Sequence, residues 1–79
     1  MKSKYCYYVG YIAYDGSTRF LTSVDYAEKT WLSKRGESAL EFTMTEADSI
    51  VYGMLMNFTL AFTVKVPRGI TFTNPDCEE

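Results

Sequence analysis

The sequence predicts an α+β domain: a three- or four-stranded antiparallel sheet with one helix packed on one face, in the order ββ-αβ(β). Apolar residues recur at helical spacing over residues 47–58, whereas residues 5–24 and 60–66 alternate as strands do. A chain of 79 residues is also of single-domain size. We therefore expect residues 1–79 to form one domain.

A β-hairpin is predicted at the start of the chain. Two strand-like runs, residues 5–14 and 19–24, flank Asp15-Gly16, a dipeptide typical of tight hairpin turns. A two-residue loop there would place Tyr11 opposite Phe20. The face of the hairpin that carries Tyr11 is apolar and is expected to meet the helix.

The segment from Asp25 to Ser38 shows no clear periodicity, and we expect it to be irregular with one turn. Asp25, with Glu28, is a candidate cap for a helical turn in which Ala27 and Trp31 share a face. Phe42, further along the chain, precedes a helix start and is expected in the core.

The helix is predicted to begin at a capping box formed by Thr43 and Glu46, with Thr45 as a second candidate cap. Glu46 and Asp48 place negative charge near the positive end of the helix dipole, so we interpret them as capping residues and not as a catalytic pair. The residues expected on the buried stripe are Ala47, Ile50, Val51, Met54 and Phe58.

The last predicted strand alternates from Leu60 to Val66 and ends at Pro67, which cannot donate to a ladder. Pro67 and Gly69 suit a type I turn over residues 66–69. Residues 70–73 are expected to fold back as a short strand, and residues 74–79 to form a flexible acidic tail.

Composition argues against an enzyme. The chain has no histidine, so the commonest general base and metal ligand is missing, and no phosphate-binding, dinucleotide or calcium loop is present. We expect no catalytic residue, no cofactor and no metal. Cys6 and Cys77 are expected to be free thiols.

The charge distribution indicates how strongly the chain could attract nucleic acid. The last four residues hold three of the ten acidic groups, so residues 1–75 carry eight basic and seven acidic side chains. Residues 1–75 are therefore nearly neutral and lack a strong electrostatic attraction to nucleic acid.

The sequence shows no signal peptide and no apolar run of membrane length, so we expect a cytoplasmic protein that binds no membrane.

Two surfaces are predicted to bind a protein partner. One is the outer hairpin face, which combines aromatic, aliphatic and Arg side chains as interface hot spots do, unless residues 25–38 or the C-terminal strand cover it. The other is the outward face of the helix, where Gly53 suggests close approach of another backbone. The predicted binding residues are Tyr8, Ile12, Arg19, Leu21, Tyr52, Gly53 and Met56.

Two other kinds of partner are consistent with the sequence. A nucleic-acid-binding sheet would stack bases on tyrosines and contact phosphates with Lys and Arg. A homodimer would form through an exposed strand edge or the helix face. The residues of the predicted nucleic-acid surface are Tyr7, Tyr8, Tyr11, Arg19, Lys29, Lys34 and Arg35.

The segment Ala39-Leu-Glu-Phe-Thr-Met-Thr-Glu-Ala-Asp-Ser-Ile, with the strand ending in Val64-Lys-Val-Pro, resembles small uncharacterised proteins of phages and prophages of Gram-positive bacteria. The resemblance covers residues 39–67 and, more loosely, the Tyr-rich hairpin. It implies a short accessory protein that binds and inhibits or redirects a host protein in the host cytoplasm, as anti-CRISPR inhibitors do. Its motifs assign no functional residue.

Overall fold

Strand β1 (Tyr5–Ile12) is central and has an antiparallel neighbour on each side in the computed structural model, which describes residues 4–28 and 30–74. The remaining elements are β2 (Thr18–Phe20), β3 (Ser23–Asp25), β4 (Thr30–Leu32), α1 (Met44–Met56) and β5 (Ala61–Pro67). The sheet order is β2-β1-β5, with α1 packed on β1 and β5, and a separate hairpin pairs β3 with β4. The predicted α+β class is confirmed.

The β1–β2 hairpin has a three-residue loop, residues 14–16, in place of the predicted two-residue loop. The Ala13 N–H donates to the Ser17 carbonyl at 2.7 Å, and the Gly16 N–H donates to the Ala13 carbonyl at 2.9 Å. Gly16 has φ +88°, which suits the last position of a three-residue hairpin loop. The Asp-Gly pair therefore marks the turn correctly but not its length.

The longer loop shifts the hairpin register by one residue. Tyr11 pairs with Arg19 and Gly10 with Phe20, so the predicted pairing of Tyr11 with Phe20 is wrong. Successive residues of a strand point to opposite faces, and a shift of one residue moves side chains across the sheet. Leu21, predicted on the open face, lies instead in the core beneath the helix and is 1% exposed.

Helix α1 begins at the predicted capping box. The Thr43 hydroxyl accepts the Glu46 N–H at 3.2 Å, and the Glu46 carboxylate accepts the Thr43 N–H at 3.0 Å. The helix ends at Met56, so Phe58 lies beyond it and is 98% exposed. The prediction that Phe58 is buried is wrong, although the rest of the stripe packs on the sheet.

Hydrophobic side chains cover both faces of the sheet. The buried residues on the helix side are Val9, Leu21, Phe42, Ala47, Ile50 and Met54. Those on the opposite side are Cys6, Tyr8, Ala39 and Val66. The Phe72 ring meets Tyr8 edge-on at 5.4 Å between centroids and stacks on Phe20 at 4.9 Å. Of the two possibilities left open for the outer face, cover by the C-terminal segment is the one observed at Tyr8, which is completely buried, so the prediction that Tyr8 binds a partner is wrong.

The C-terminal segment starts with a turn one residue later than predicted. The Ile70 N–H donates to the Pro67 carbonyl at 3.2 Å, and Gly69, at the third turn position, has φ +104°. Residues 70–73 do fold back as predicted, but only as an extended segment with a single bridge between Thr73 and Ser38.

Asn74 holds the end of this segment against the sheet. It is 2% exposed and hydrogen bonds with the backbone of Phe20 and Lys34. The predicted flexible tail is therefore wrong at its first residue. The rest of that tail, with Cys77, lies outside the described residues, as does Lys29.

The segment expected to be irregular contains the β3–β4 hairpin. The Asp25 carboxylate accepts the N–H groups of Ala27 and Glu28 at 3.0 and 3.1 Å, so Asp25 does cap a turn. That turn connects two strands of three residues each, in which Val24 pairs with Trp31. Trp31 therefore lies on a strand and not on the predicted helical turn.

Candidate functional site

A groove runs between the outward face of α1 and the β3–β4 hairpin. Its volume is about 410 Å³, within the range of roughly 300–1,000 Å³ that is common for ligand pockets. The hairpin contributes one wall and the second half of α1 the other. The lining residues are Val24, Asp25, Tyr26, Trp31, Ser49, Ile50, Gly53, Met56 and Asn57.

The base of the groove is apolar and fixed by the core. Ile50 is only 4% exposed, and Trp31 is half-buried against the same core cluster. Pairing of Trp31 with Val24 holds the indole ring beside the helix. Since its walls come from regular elements, the groove is largely preformed, as binding sites usually are.

Gly53 forms part of the helix wall opposite Trp31. A Cβ atom at this position would lie 3.6 Å from Cζ2 and 3.7 Å from Cη2 of the indole, which is ordinary van der Waals contact. We expected another backbone to approach Gly53 closely. The neighbour is instead a side chain, and it leaves room for a methyl group.

The described part of the groove carries negative charge. Asp25 lines it, and among residues 4–28 and 30–74 no Lys or Arg belongs to the lining. Met56 and Asn57 lie at the C-terminal end of α1, which carries partial negative charge from the helix dipole and has no basic residue in its last turn. Burial raises the pKa of the nearby Tyr26 hydroxyl, and the negative charge of Glu46 raises it further.

Exposed apolar side chains continue beyond the end of the helix. Tyr52, Met56, Phe58 and Leu60 are 68%, 62%, 98% and 68% exposed. Residues 49–64 contain no charged side chain. Exposed apolar groups concentrated in this way are typical of interaction surfaces. We call these four residues the apolar end.

The backbone at Phe58 has an unusual conformation. Phe58 has φ +63°, a left-handed geometry that is rare for bulky residues. The N–H of Phe58 donates to the Leu55 carbonyl at 3.0 Å, and the N–H of Thr59 donates to the Met54 carbonyl at 2.9 Å. These two bonds form a Schellman motif, in which glycine is the usual residue at the position of Phe58. Strain at an exposed residue suggests a functional reason for the side chain.

The predicted binding residues occupy three different environments. Tyr8 and Leu21 are buried and have no surface to offer a partner. Arg19 and Ile12 lie in the β1–β2 hairpin. The Arg19 side chain is 23% exposed and lies 3.8 Å from the Asp15 carboxylate, whereas Ile12 is 37% exposed. The structure brings Gly53 and Met56 together in the groove and leaves Tyr52 on the exposed helix surface.

Several site residues were missed from the sequence. Trp31 and Asp25 were assigned to a turn, and Phe58 to the buried stripe that its spacing fits. The available signals were the length of the uncharged run and Asn57, a residue that often ends helices. No sequence pattern indicated that the β3–β4 hairpin would lie beside the helix.

The tyrosines expected to stack nucleic-acid bases do not share a face. Tyr7 and Tyr11 pack against the helix-side core, whereas Tyr8 belongs to the opposite core cluster. The Tyr11 hydroxyl also hydrogen bonds with the Ser33 hydroxyl at 2.5 Å. A continuous stacking platform of these three rings is therefore not formed.

Within residues 4–28 and 30–74, no group of three or more Cys, Asp and Glu side chains is placed to hold a metal ion, and no helix is long and apolar enough to cross a membrane. The Cys6 thiol is buried and lies beside Tyr8. The groove and the apolar end could therefore bind a partner through complementary shape, apolar contact and negative charge.

Comparison with family models, with curated proteins and with solved structures found no match.

Proposed function

We propose that this chain is a non-catalytic protein-binding module. In the proposed complex, an apolar side chain of the partner occupies the groove, and a neighbouring Lys or Arg lies beside Asp25 and the C-terminal end of α1. The observation that carries this proposal is the position of Trp31, which forms an aromatic wall of the groove, with the Asp25 carboxylate among the other lining groups. Apolar anchors in preformed pockets dominate protein interfaces, and complementary charge selects the partner.

The apolar end extends the proposed interface. Met56 belongs both to the groove and to this exposed group, so a partner seated in the groove would also meet the end of the helix. Burying Phe58 would also compensate for its left-handed backbone. Removing these side chains from water supports binding at about 25 cal/mol per Å² of apolar surface, before the costs of association.

Trp31 provides a direct assay because it is the only tryptophan in the chain. We expect short peptides with a Leu, Phe or Met next to Lys or Arg to change its fluorescence saturably, and Glu-substituted peptides not to. Equal titration curves for peptides of both charges would contradict the proposed role of the Asp25 charge.

Paired substitutions test each half of the site. Asp25→Asn keeps the side-chain oxygen that caps the turn but removes the charge, and we expect about threefold weaker binding, as for one exposed ion pair. Asp15→Asn is the matched control, since Asp15 caps the distant β1–β2 loop. Met56→Glu should abolish binding, whereas Met44→Glu, at the other end of α1, should not.

The sequence resemblance supports a more specific form of this proposal, in which the partner is a host protein that the module inhibits or redirects in the host cytoplasm, as an anti-CRISPR inhibitor does. Affinity capture from a Gram-positive bacterial lysate tests it. A host protein retained in equal amount by the wild type and Met44→Glu, and lost with Met56→Glu, is the expected result. Equal retention by all three proteins would contradict it.

A further inference from the structure

The two edges of the three-stranded sheet differ. At the β2 edge, the backbone N–H and carbonyl of Phe20 point away from β1 and bind the Asn74 side chain at 2.9 and 2.8 Å. An amide side chain thus takes the place of a neighbouring strand. Exposed edges invite pairing with other chains, and this edge is closed at Phe20.

The β5 edge is open. The N–H of Ile12 donates to the Leu60 carbonyl, and the N–H of Arg68 donates to the Lys4 carbonyl, so the even-numbered residues of this stretch bond with β1. By the alternation of an antiparallel ladder, the backbone N–H and carbonyl groups of residues 61, 63 and 65 point outward. Within the described residues, β5 has no strand neighbour other than β1.

The single charge on β5 does not protect this edge. Charged side chains on an edge strand commonly prevent pairing with another strand. The ammonium group of Lys65, however, lies 4.6 Å from the centre of the Tyr5 ring, over the central strand β1. The lysine is therefore turned toward the sheet interior and away from the open side.

We propose that β5 pairs antiparallel with β5 of a second copy, with Thr63 opposite Thr63 of that copy. The pairing would join two sheets into one of six strands. This inference does not depend on the partner proposed for the groove.

The ends of β5 select this register. The N–H of Thr59 is already bonded to Met54, Pro67 has no N–H, and the Pro67 carbonyl accepts a bond from Ile70. Along β5, which the structure describes in full, residues 61, 63 and 65 are therefore the ones whose backbone N–H and carbonyl groups are both free to pair with another strand. Pairing centred on Thr63 uses all of them in six hydrogen bonds, whereas a shift by two residues in either direction requires Thr59 or Pro67.

The side chains are compatible with this register. Phe62 would lie opposite Val64 of the second copy, and Leu60, which is 68% exposed, opposite Val66. Lys65 would face Ala61, so the two lysines would be about 13 Å apart along the strands. Apolar and Thr–Thr pairs are favourable across antiparallel strands, and no like charges are directly opposed.

Amide hydrogen exchange and sedimentation over micromolar to millimolar concentrations test the proposal. We expect the monomer to become a dimer, and the amides of residues 61, 63 and 65 to gain protection in step with dimer formation. The amides of residues 62, 64 and 66, which already face β1, serve as the internal control.

Charge placed at Thr63 tests the register. Thr63 is exposed, and either Thr63→Lys or Thr63→Glu opposes two like charges at the symmetry axis. Each should raise the dimer dissociation constant about tenfold, and an equal mixture of the two variants should restore association as a mixed dimer. Thr18→Lys, on the exposed part of β2, should dimerise like the wild type.

Three outcomes would overturn the proposal: a monomer at millimolar concentration, a dimer whose residue 61, 63 and 65 amides still exchange rapidly, or protection of those amides only by an extended peptide from another protein. The peptide titrations of Trp31 report separately on the groove. The proposal of β5 pairing and the proposal of binding in the groove are therefore tested by separate measurements, and either can fail without the other.

Discussion

The side chain of Asn74 forms two hydrogen bonds with the backbone of a single residue, Phe20: its oxygen accepts the Phe20 N–H, and its nitrogen donates to the Phe20 carbonyl. The same nitrogen also donates to the Lys34 carbonyl at 3.1 Å. Asn74 thereby connects the C-terminal segment to both β2 and the start of the loop after β4.

Replacing Asn74 with Ala should destabilise the fold by about 2–3 kcal/mol, because buried backbone groups would lose their partners. Asn74→Asp should be at least as harmful, since a carboxylate cannot donate to the two carbonyls. Urea denaturation measures both effects. Thr71→Ala, in the same segment but exposed, is the control and should change stability by less than about 0.5 kcal/mol.

Phe58→Gly should stabilise the protein by about 1 kcal/mol relative to Phe58→Ala. Both variants lack the ring, but only glycine relieves the left-handed backbone. Thermal denaturation of the pair measures this difference. If Phe58 contributes to the proposed interface, both variants also bind peptides more weakly than the wild type. Equal stability of the two variants would show that the conformation carries no strain.

Thr43→Ala should cost about 1 kcal/mol of stability, because Thr43 accepts the Glu46 N–H as the N-cap of α1. Thr45→Ala is a close control: Thr45 lies within the helix and is exposed, so alanine should be neutral or slightly favourable there. Circular dichroism during urea denaturation distinguishes them. A larger loss of stability from Thr45→Ala than from Thr43→Ala would show that Thr43 is not the N-cap.

The Tyr8 hydroxyl should make folding sensitive to alkaline pH. Burial raises the pKa of Tyr8 to about 12 from its usual value of 10, with a further contribution from hydrogen bonding with Cys6. The stability gained from keeping this group neutral is complete below pH 10 and is lost as the pH rises through 12. The loss amounts to about 3 kcal/mol.

Tyr8→Phe removes the titrating group and the hydrogen bond to the Ile70 carbonyl. We expect it to be less stable than the wild type at pH 8, with the difference narrowing above pH 10. Tyr14→Phe, at a fully exposed position, should follow the wild type throughout. A constant difference between Tyr8→Phe and the wild type from pH 8 to pH 12 would contradict the raised pKa.

The elements predicted correctly are those whose signals are local. The capping box at Thr43 and the helical stripe are encoded within a few residues, and so is the alternation that identifies β1 and β5. The failures depend on distant partners or on one residue of register. Asp15-Gly16 suits a loop of either two or three residues, and this difference alone moved Leu21 across the sheet.

The groove was only half predictable for the same reason. Gly53 and Met56 could be predicted as binding residues because the helix face around them lacks charge. The other wall could not be predicted, because strands as short as β3 and β4 contain too few residues to show a period. Asn74, at the start of the predicted acidic tail, gave no sign that Phe20, 54 positions earlier, would bind it. Such contacts follow from the assembled fold and not from local sequence.

The central position of β1 has a consequence for synthesis. Among the sheet strands β1 is made first, yet its partners in β5 and the Ile70 carbonyl that binds Tyr8 come 50 to 62 residues later. In a nascent chain that has reached only the helix, the side of β1 that pairs with β5 would therefore have no neighbour. Such long-range pairing is slow to form and exposes the chain to aggregation. Formation of the sheet should accordingly await the synthesis of β5, and one edge of β1 stays open until then.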